Sequence, residues 1–314
     1  EITVDRLKII PGFRTTHYSI NDEIYNEPRF SLAYELNEST QLRAGFGDYH
    51  QFALSVSRQS IQEGPRNFWT LADGEAIPIS KARHYILGAT KYFGEYDFSM
   101  EFFHKEYDGL SEFIERSVPI LNEEGTGLIL TLEQEFQTGS GTASGIELFV
   151  QKNIGNLTGW SGYTFSEVKY DFPTVSNKTY FADQDTTHEF KNVLMYEWND
   201  WNFATTFIYA TGRPYTEVLG VIEDTFPPAF EVGEKNAERY DPYHRLDLSA
   251  TYSFEMFGGD GTAGFSIFNF YDRKNDWYTE YDVIEGEILE TEVKYRGFTP
   301  SLYVSWNKSF DTLY

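Results

Sequence analysis

Paired carboxylates are the first residues in this 314-residue sequence whose type and spacing could do chemistry. They occur in Asp183-Gln184-Asp185 and in Glu285-Gly286-Glu287. Ca²⁺ takes about six to eight oxygen ligands, which acidic loops can supply. Neither run has the spacing of an EF-hand loop, and exposed acidic runs are usually only solvated. We therefore expect no resident cofactor, keep loop-bound Ca²⁺ as a hypothesis, and assign no metal-site residues.

Hydrolytic chemistry has little support in the sequence. His188-Glu189 is not the start of a metalloprotease helix motif, because Asn192 occupies the position of the second histidine. Ser144 and Ser161 lack the glycine spacing of a nucleophile elbow. A triad assembled across strands would leave no such spacing, so a hydrolase stays the least favoured alternative and we predict that the protein is not an enzyme.

Aromatic and charged side chains are the better candidates, because they could bind an organic ligand. Rings in long segments between strands can stack on a sugar or a planar chelate, while charged residues on polar strand faces can orient it. The predicted ligand-binding residues are Trp69, Arg213, Tyr215, Arg245, Asp247 and Trp277. Two other interpretations remain open: a charge-paired, water-lined interior without a specific ligand, and loop aromatics that only fold onto a barrel mouth.

Composition excludes several classes of protein. Aromatic residues make up 18% of the chain, too much apolar ring area for disorder. The net charge of −24 argues against a nucleic-acid partner, and zero Cys excludes disulfides and thiolate chemistry. No stretch approaches the roughly 18 apolar residues of a spanning helix. The first residues lack a signal-peptide pattern, as expected of a processed chain or a fragment.

Alternation of apolar and polar residues predicts the elements that position these candidates. Segment 245–254 alternates strictly, and the same period of two recurs along the chain. About twelve strands of roughly ten residues result, the length that a tilted strand needs to cross a bilayer. They are expected near 7–18, 29–37, 40–49, 82–93, 96–107, 143–153, 157–168, 189–198, 201–212, 245–254, 262–271 and 298–310.

The connections between these strands alternate in length. Short turns such as Gly94-Glu95 and Asn199-Asp200 alternate with long segments at about 50–81, 108–142, 169–188, 213–244 and 272–297. Short periplasmic turns and long extracellular loops are typical of outer-membrane barrels, whereas a soluble β-sandwich has no reason to keep this alternation. We predict an all-β fold, an antiparallel transmembrane β-barrel.

Aromatic residues near both strand ends agree with this prediction, since such rings settle at the two membrane–water interfaces. One expected girdle, beside the short turns, comprises Phe93, Tyr96, Trp198, Trp201, Phe254 and Phe310. The other, beside the long connections, comprises Tyr18, Tyr49, Tyr107, Tyr209, Tyr271 and Phe298.

Several segments in order resemble the C-terminal part of the barrel of TonB-dependent outer-membrane receptors, particularly the type abundant in Bacteroidetes. They include 144–148, 155–160, 243–249 and 297–302, together with Ala210-Thr211-Gly212-Arg213-Pro214-Tyr215 and the run 266–275. The resemblance implies a 22-stranded barrel around an N-terminal plug, of which this chain supplies about twelve strands. We therefore expect one partial barrel domain, 1–314, without a plug.

The resemblance also implies a function. A TonB-dependent receptor in the Gram-negative outer membrane imports a bulky, scarce ligand, such as a ferric chelate, cobalamin or an oligosaccharide. The implied partners are outer-membrane lipid, that small-molecule or oligosaccharide ligand, and the inner-membrane TonB complex, which would act through a plug absent from this chain. The alternatives are a plugless passive pore or a surface-binding barrel, with an outer-membrane hydrolase less favoured. The twelve strands could also close on themselves as a smaller barrel, because open edges in lipid are not tolerated.

Overall fold

Strands form all the regular structure of the computed structural model, which describes residues 1–60, 64–121, 128–222, 229–284 and 287–308. The strands are β1 (Ile2–Val4), β2 (Leu7–Tyr18), β3 (Glu23–Asn37), β4 (Thr40–Gln51), β5 (Ala53–Ser60), β6 (Gly64–Leu71), β7 (Ser80–Phe93), β8 (Tyr96–Leu121), β9 (Leu128–Lys152), β10 (Leu157–Asp171), β11 (Tyr180–Phe181), β12 (His188–Trp198), β13 (Trp201–Ala210), β14 (Pro214–Tyr215), β15 (Val218–Ile222), β16 (Ala229–Val232), β17 (Glu238–Arg239), β18 (Tyr243–Met256), β19 (Gly259–Phe268), β20 (Asp276–Ile284), β21 (Glu287–Lys294) and β22 (Thr299–Asn307). No helix in the described part of the chain is long and apolar enough to cross a membrane.

Twelve long strands make one antiparallel sheet in which each strand pairs with its neighbour along the meander. The order is β1-β2-β3-β4-β7-β8-β9-β10-β12-β13-β18-β19-β22, with short β1 added at one edge. The prediction of an all-β fold with about twelve strands is confirmed. No ladder within the described ranges joins β22 to β1 or β2, so these two ends of the sheet are edges.

Strands β8 and β9 differ from their prediction because they are far longer. They span 26 and 25 residues and stay paired across most of segment 108–142, which the sequence pattern had assigned to a loop. A bulge between Asp108 and Leu110 interrupts the register, and Gly109 there has a φ of +66°. Alternation shifts by one residue at a bulge, which explains why the period of two ended there in the sequence.

Register places charged side chains of neighbouring strands on one face of the sheet. Arg43 pairs with Gly88, Gly88 with Glu101, and Glu101 with Glu147, and Lys105 follows Glu101 at an even spacing. Most of the side chains that point the opposite way are apolar, such as Leu87, Phe102 and Leu148. We call these two sides the polar face and the apolar face. Large side chains on the apolar face are solvent-exposed, as Leu87 (63%) and Leu302 (86%) illustrate.

The girdle beside the short turns agrees with register, because Phe93, Tyr96, Trp198, Trp201 and Phe254 all lie on the apolar face. Phe310 lies outside the described residues. The other girdle is only partly right. Tyr209 lies on the apolar face, whereas Tyr18, Tyr49 and Tyr107 fall on the polar face, because each stands at an odd offset in sequence from the apolar-face residues of its strand. Tyr271 and Phe298 lie just outside the ladders of β19 and β22.

Much of the long connections consists of hairpins. β5 pairs with β6, β15 with β16 and β20 with β21, while β14 and β17 form a two-residue ladder. The main buried apolar cluster of the described chain also lies at this end. Leu54, Val56, Ala72 and Ile77 pack with Phe113 and other rings, so the β5–β6 hairpin is fastened against β8 and β9.

Candidate ligand-binding site

A cavity of about 980 Å³ opens where the polar face meets the long connections. Strand ends provide its wall through Tyr49, Tyr107 and Tyr170, and the connections provide the rest. The lining combines aromatic rings with scattered polar groups. Such a surface can enclose an organic ligand and fix its orientation.

The structure brings three of the six predicted residues together in this cavity. Arg213, Tyr215 and Trp277 all line it, although the first and last are far apart in sequence. The Arg213 guanidinium donates to the Trp277 carbonyl oxygen at 2.6 Å. The Tyr215 ring stacks on Tyr240, with centroids 4.4 Å apart. The 214–215 and 276–284 segments are thereby joined into one wall.

Arg245 and Asp247 do not line the cavity. Asp247 binds the Arg245 Nε through Oδ2 at 2.9 Å and accepts the backbone N–H of Asn269 through Oδ1 at 2.8 Å. The Arg245 guanidinium also lies 4.2 Å from the centre of the Phe268 ring. These contacts fix the end of β19, where Asn269 is fully buried. The Asn269 side-chain amide donates through Nδ2 to the Arg273 carbonyl oxygen and accepts the Arg273 N–H through Oδ1. The predicted role of Arg245 and Asp247 in ligand binding stays a prediction.

Trp69 also lies apart from the cavity. It sits on β6 with 73% of its surface exposed and is absent from the cavity lining. A ring so exposed can still meet a ligand in solvent, so its predicted role stays a prediction.

The sequence did not predict a buried cluster of polar contacts around Glu112. Its Oε1 forms a salt bridge with Lys235 Nζ at 2.6 Å, and its Oε2 accepts the Tyr180 hydroxyl at 2.6 Å. Both ionic side chains are about 85% buried, their exposed fractions being 16% and 15%. Burial and the Glu112 carboxylate raise the pKa of Tyr180, which keeps the phenol a hydrogen-bond donor. The partners lie 68 and 123 residues from Glu112, so no local pattern could have paired them.

Asp183 and Asp185, the first calcium candidates, are engaged by protein groups. Asp185 is fully buried and binds Arg239 Nη2 at 2.6 Å, the Val168 N–H at 2.7 Å and the Thr187 hydroxyl. Asp183 Oδ1 accepts the Asn236 amide at 2.6 Å. No group of three or more potential metal ligands occurs among the described residues. The contacts of Asp185 weigh against calcium there, whereas Glu285 and Gly286 of the second run lie outside the described residues.

Phenols in the wall stay neutral at physiological pH. Burial, followed by the nearby Glu290 carboxylate, raises the pKa of Tyr281 to about 12, and burial with Glu217 raises the pKa of Tyr215. These side chains therefore stack and donate hydrogen bonds without carrying charge. Of the described cavity residues, Arg213 is a cation with no carboxylate partner.

Comparison with known proteins agrees with the architecture. Residues 1–270 match a family model described as "TonB dependent receptor-like, beta-barrel". The chain is similar to the outer-membrane transporter YddB from Escherichia coli, with a TM-score of 0.63 and 12% identity over 96% of this chain and 43% of that one. It is also similar to P. aeruginosa FpvA solved with bound pyoverdines (TM-score 0.58, 12% identity, 97% and 36% coverage).

A third similar structure is the ferric citrate transporter FecA, with a TM-score of 0.59 and 14% identity over 97% of this chain and 43% of that one. The chain thus spans less than half the length of each of these solved proteins. No curated protein sequence matches it significantly. The Bacteroidetes-like type stays a prediction.

Proposed function

Because this chain belongs to the family of TonB-dependent receptor-like β-barrels, we propose that it forms part of a receptor that imports a bulky, scarce ligand. Members of the family lie in the Gram-negative outer membrane and are receptors and transporters rather than enzymes. Energy for import would come from the inner-membrane TonB complex, acting through a plug domain outside these 314 residues. The apolar face would contact outer-membrane lipid.

The cavity where the polar face meets the long connections, which we call the mouth cavity, is the observation that carries this proposal. Its volume of about 980 Å³ lies at the upper end of the range of roughly 300–1,000 Å³ found for small-molecule sites, as a bulky ligand requires. Arg213, Tyr215 and Trp277 line it from two different connections. A ligand bound there would touch both connections at once, which favours a large ligand over a small ion.

A ferric chelate fits the cavity better than a neutral oligosaccharide. The Arg213 guanidinium has no carboxylate partner among the described residues, and desolvating it without an anion is costly. The neutral phenols of Tyr215 and Tyr281 can stack on a planar organic group. The names of two similar proteins, FpvA with pyoverdine and the ferric citrate transporter FecA, point to the same chemistry.

Uptake by cells that carry the intact gene tests the proposal. We would supply ⁵⁵Fe-citrate, a ⁵⁵Fe-catecholate, a ⁵⁵Fe-hydroxamate, labelled cobalamin and labelled oligosaccharides, with and without a protonophore. The expected result is uptake of an iron chelate that is lost on deletion of the gene and on collapse of the proton gradient. Arg213→Ala should lower this uptake, whereas Lys178→Ala, on an exposed loop pair, should leave it unchanged.

The other outcomes distinguish the alternatives. Uptake that depends on the gene but survives the protonophore would indicate a passive pore. Binding at the cell surface without uptake would indicate a surface-binding barrel. Unchanged uptake of every probe on deletion would refute the transport proposal.

A further inference from the structure

A second cavity, of about 490 Å³, lies on the apolar face of β7, β8, β9 and β10. Register aligns Ala89 with Met100, Met100 with Leu148, and Leu148 with Tyr163, and all four line the cavity. The small side chains of Ala89 and Ser161 leave the space between larger neighbours. The result is an apolar groove in a surface that a bilayer covers.

The groove has one polar end, formed by Lys91 and Thr40. These two residues pair across β4 and β7 and both belong to the lining. Lys91 Nζ donates to the Ser39 hydroxyl at 2.6 Å and to the Thr40 hydroxyl at 3.1 Å. No carboxylate pairs with Lys91 in the part of the chain that the structure describes. An ammonium and two hydroxyls therefore meet at the end of an apolar groove.

Lys91 lies two residues from the end of β7, beside a short connection. In this family the short connections face the periplasm, which places Lys91 at the headgroup level of the inner leaflet. Lys152 offers an instructive contrast at the same end of the apolar face. Its ammonium is paired with Glu95 at 3.1 Å, and the groove does not include it.

We propose that this groove is a binding site for one phospholipid of the periplasmic leaflet. The lipid phosphate binds Lys91 with the Ser39 and Thr40 hydroxyls, and an acyl chain lies along Ala89, Met100 and Tyr163. Charge complementarity favours this occupant, because an unpaired cation beside hydroxyl donors matches a phosphodiester. The proposal requires the outer-membrane location and the orientation of the sheet, but not the identity of any transported ligand.

Native mass spectrometry of the intact protein in mild detergent tests the site. The probe is 1-palmitoyl-2-oleoyl-phosphatidylglycerol, titrated into the wild type and three variants. We expect one lipid adduct to survive collisional activation that strips all others. Lys91→Gln should weaken that adduct by about tenfold, the size expected for a lost charge-assisted hydrogen bond. Ala89→Leu, which fills the groove, should do the same, and Lys152→Gln should leave the adduct unchanged.

Three results would overturn the proposal. If the wild type and Lys91→Gln retained the lipid equally, Lys91 would not bind the headgroup. If Lys152→Gln lost the lipid as readily as Lys91→Gln, the adduct would reflect general electrostatic attraction. Displacement of the adduct by purified lipopolysaccharide would assign the groove to the other leaflet. Heat-modifiable gel mobility checks folding, and Ala89→Leu decides the question alone if Lys91→Gln does not fold.

Discussion

Among the described acids of the long connections, Asp185 stands out because it is fully buried. Its partner Arg239 also lies 4.6 Å from the centre of the Phe181 ring, so the ion pair fastens the 171–188 segment to β17. Breaking a buried pair by removing one partner costs about 3–5 kcal/mol, because the other charge is left uncompensated. We expect Asp185→Ala to speed amide hydrogen exchange around Phe181 and Arg239.

Glu234→Ala is the matched control, because the Lys178–Glu234 pair joins the same two connections but both side chains are over 70% exposed. Solvent screens such a pair, so exchange should not change. Equal exchange in wild type and Asp185→Ala would show that the buried pair does not hold the wall together.

Tyr215 and Trp277 provide a second prediction at the residue scale. If the mouth cavity binds the ligand, each ring contributes stacking of about 1 kcal/mol, and its removal should weaken binding by roughly fivefold. Binding of the transported chelate to Tyr215→Ala and Trp277→Ala can be measured by intrinsic fluorescence quenching. Trp69→Ala should bind as the wild type does, because Trp69 lies outside the lining. If only Trp69→Ala weakened binding, the ligand would bind at β6 rather than in the cavity.

Asp272 should make the entry to β22 sensitive to acid. Its Oδ2 binds Lys274 and its Oδ1 accepts the Phe298 N–H at 2.8 Å, and these contacts lower the pKa of Asp272. A pKa that is lower in the folded state gives stability that is present above the unfolded value and lost as pH falls through the folded value. We expect protection of the Phe298 amide, corrected for intrinsic exchange, to fall below about pH 4.

The variant Asp272→Asn supplies the comparison for that experiment. It keeps an acceptor for the Phe298 N–H but cannot titrate, so the corrected protection should no longer vary with pH. Pronounced acid dependence in the variant would assign the effect to another carboxylate.

The sequence could identify some site residues but not their partners. Arg213, Tyr215 and Trp277 were predicted as ligand-binding residues from their types and their place in long connections, and the structure gathers them in one cavity, while their role in binding stays a prediction. Glu112 was not predicted, since its partners Tyr180 and Lys235 reach it only through tertiary folding. Arg245 and Asp247 show the converse: their spacing on a polar face gave no sign that they bind each other and the β19 turn.

Within the connection from β13 to β18, the segment before β14 packs closely against the segment around β17, and this close approach depends on Gly212. The Tyr240 N–H donates to the Arg213 carbonyl oxygen at 3.1 Å, and Arg239 donates to the Gly212 carbonyl oxygen at 3.0 Å. A Cβ at Gly212 would collide with the Tyr240 carbonyl group. Gly212→Ala should therefore separate the two segments and displace Arg213 and Tyr215 from the cavity.

Limited proteolysis measures this effect. We expect the protease to cleave within segment 210–243 faster in Gly212→Ala than in the wild type. Gly220→Ala is the control in the same connection, because its new Cβ would meet Glu231 at an ordinary 3.5 Å. Similar cleavage of both variants would show that the close approach at Gly212 can relax.

At the scale of elements, the twelve membrane-length strands were predictable because one face of each is apolar. The hairpins within the long connections were not. β5–β6 and β20–β21 lie in the long connections outside the membrane-length sheet, so no lipid-facing surface requires their residues to alternate strictly. The bulge after Asp108 likewise concealed the outer half of β8.

The apolar face as a whole predicts where a charge is tolerated. Phe102 lies near the middle of the membrane-length part of β8 on the apolar face, and Glu101 precedes it on the polar face. An arginine on the lipid side costs about 2–4 kcal/mol at the bilayer midplane. We expect Phe102→Arg to lower the free energy of unfolding in phospholipid vesicles by that amount, measured by urea titration of gel mobility.

Glu101→Arg should cost far less, because its side chain already faces a polar interior and would lie opposite Glu147. If the two arginine variants were equally stable, the assignment of the faces would be wrong. The assignment itself was predictable from alternation, whereas the two open edges of the sheet were not, since pairing of distant strands leaves no trace in local sequence.

The meander has a consequence for how the chain acquires its structure. Each long strand forms its ladder with the next long strand along the chain, without a crossover, so every ladder can form as soon as its second strand is available. Neighbouring contacts carry a low entropic cost of loop closure, and the 25-residue ladder of β8 and β9 offers the largest gain for a single closure. Folding is therefore expected to nucleate at this hairpin and spread outward in both directions, with β2 and β22 ordered last.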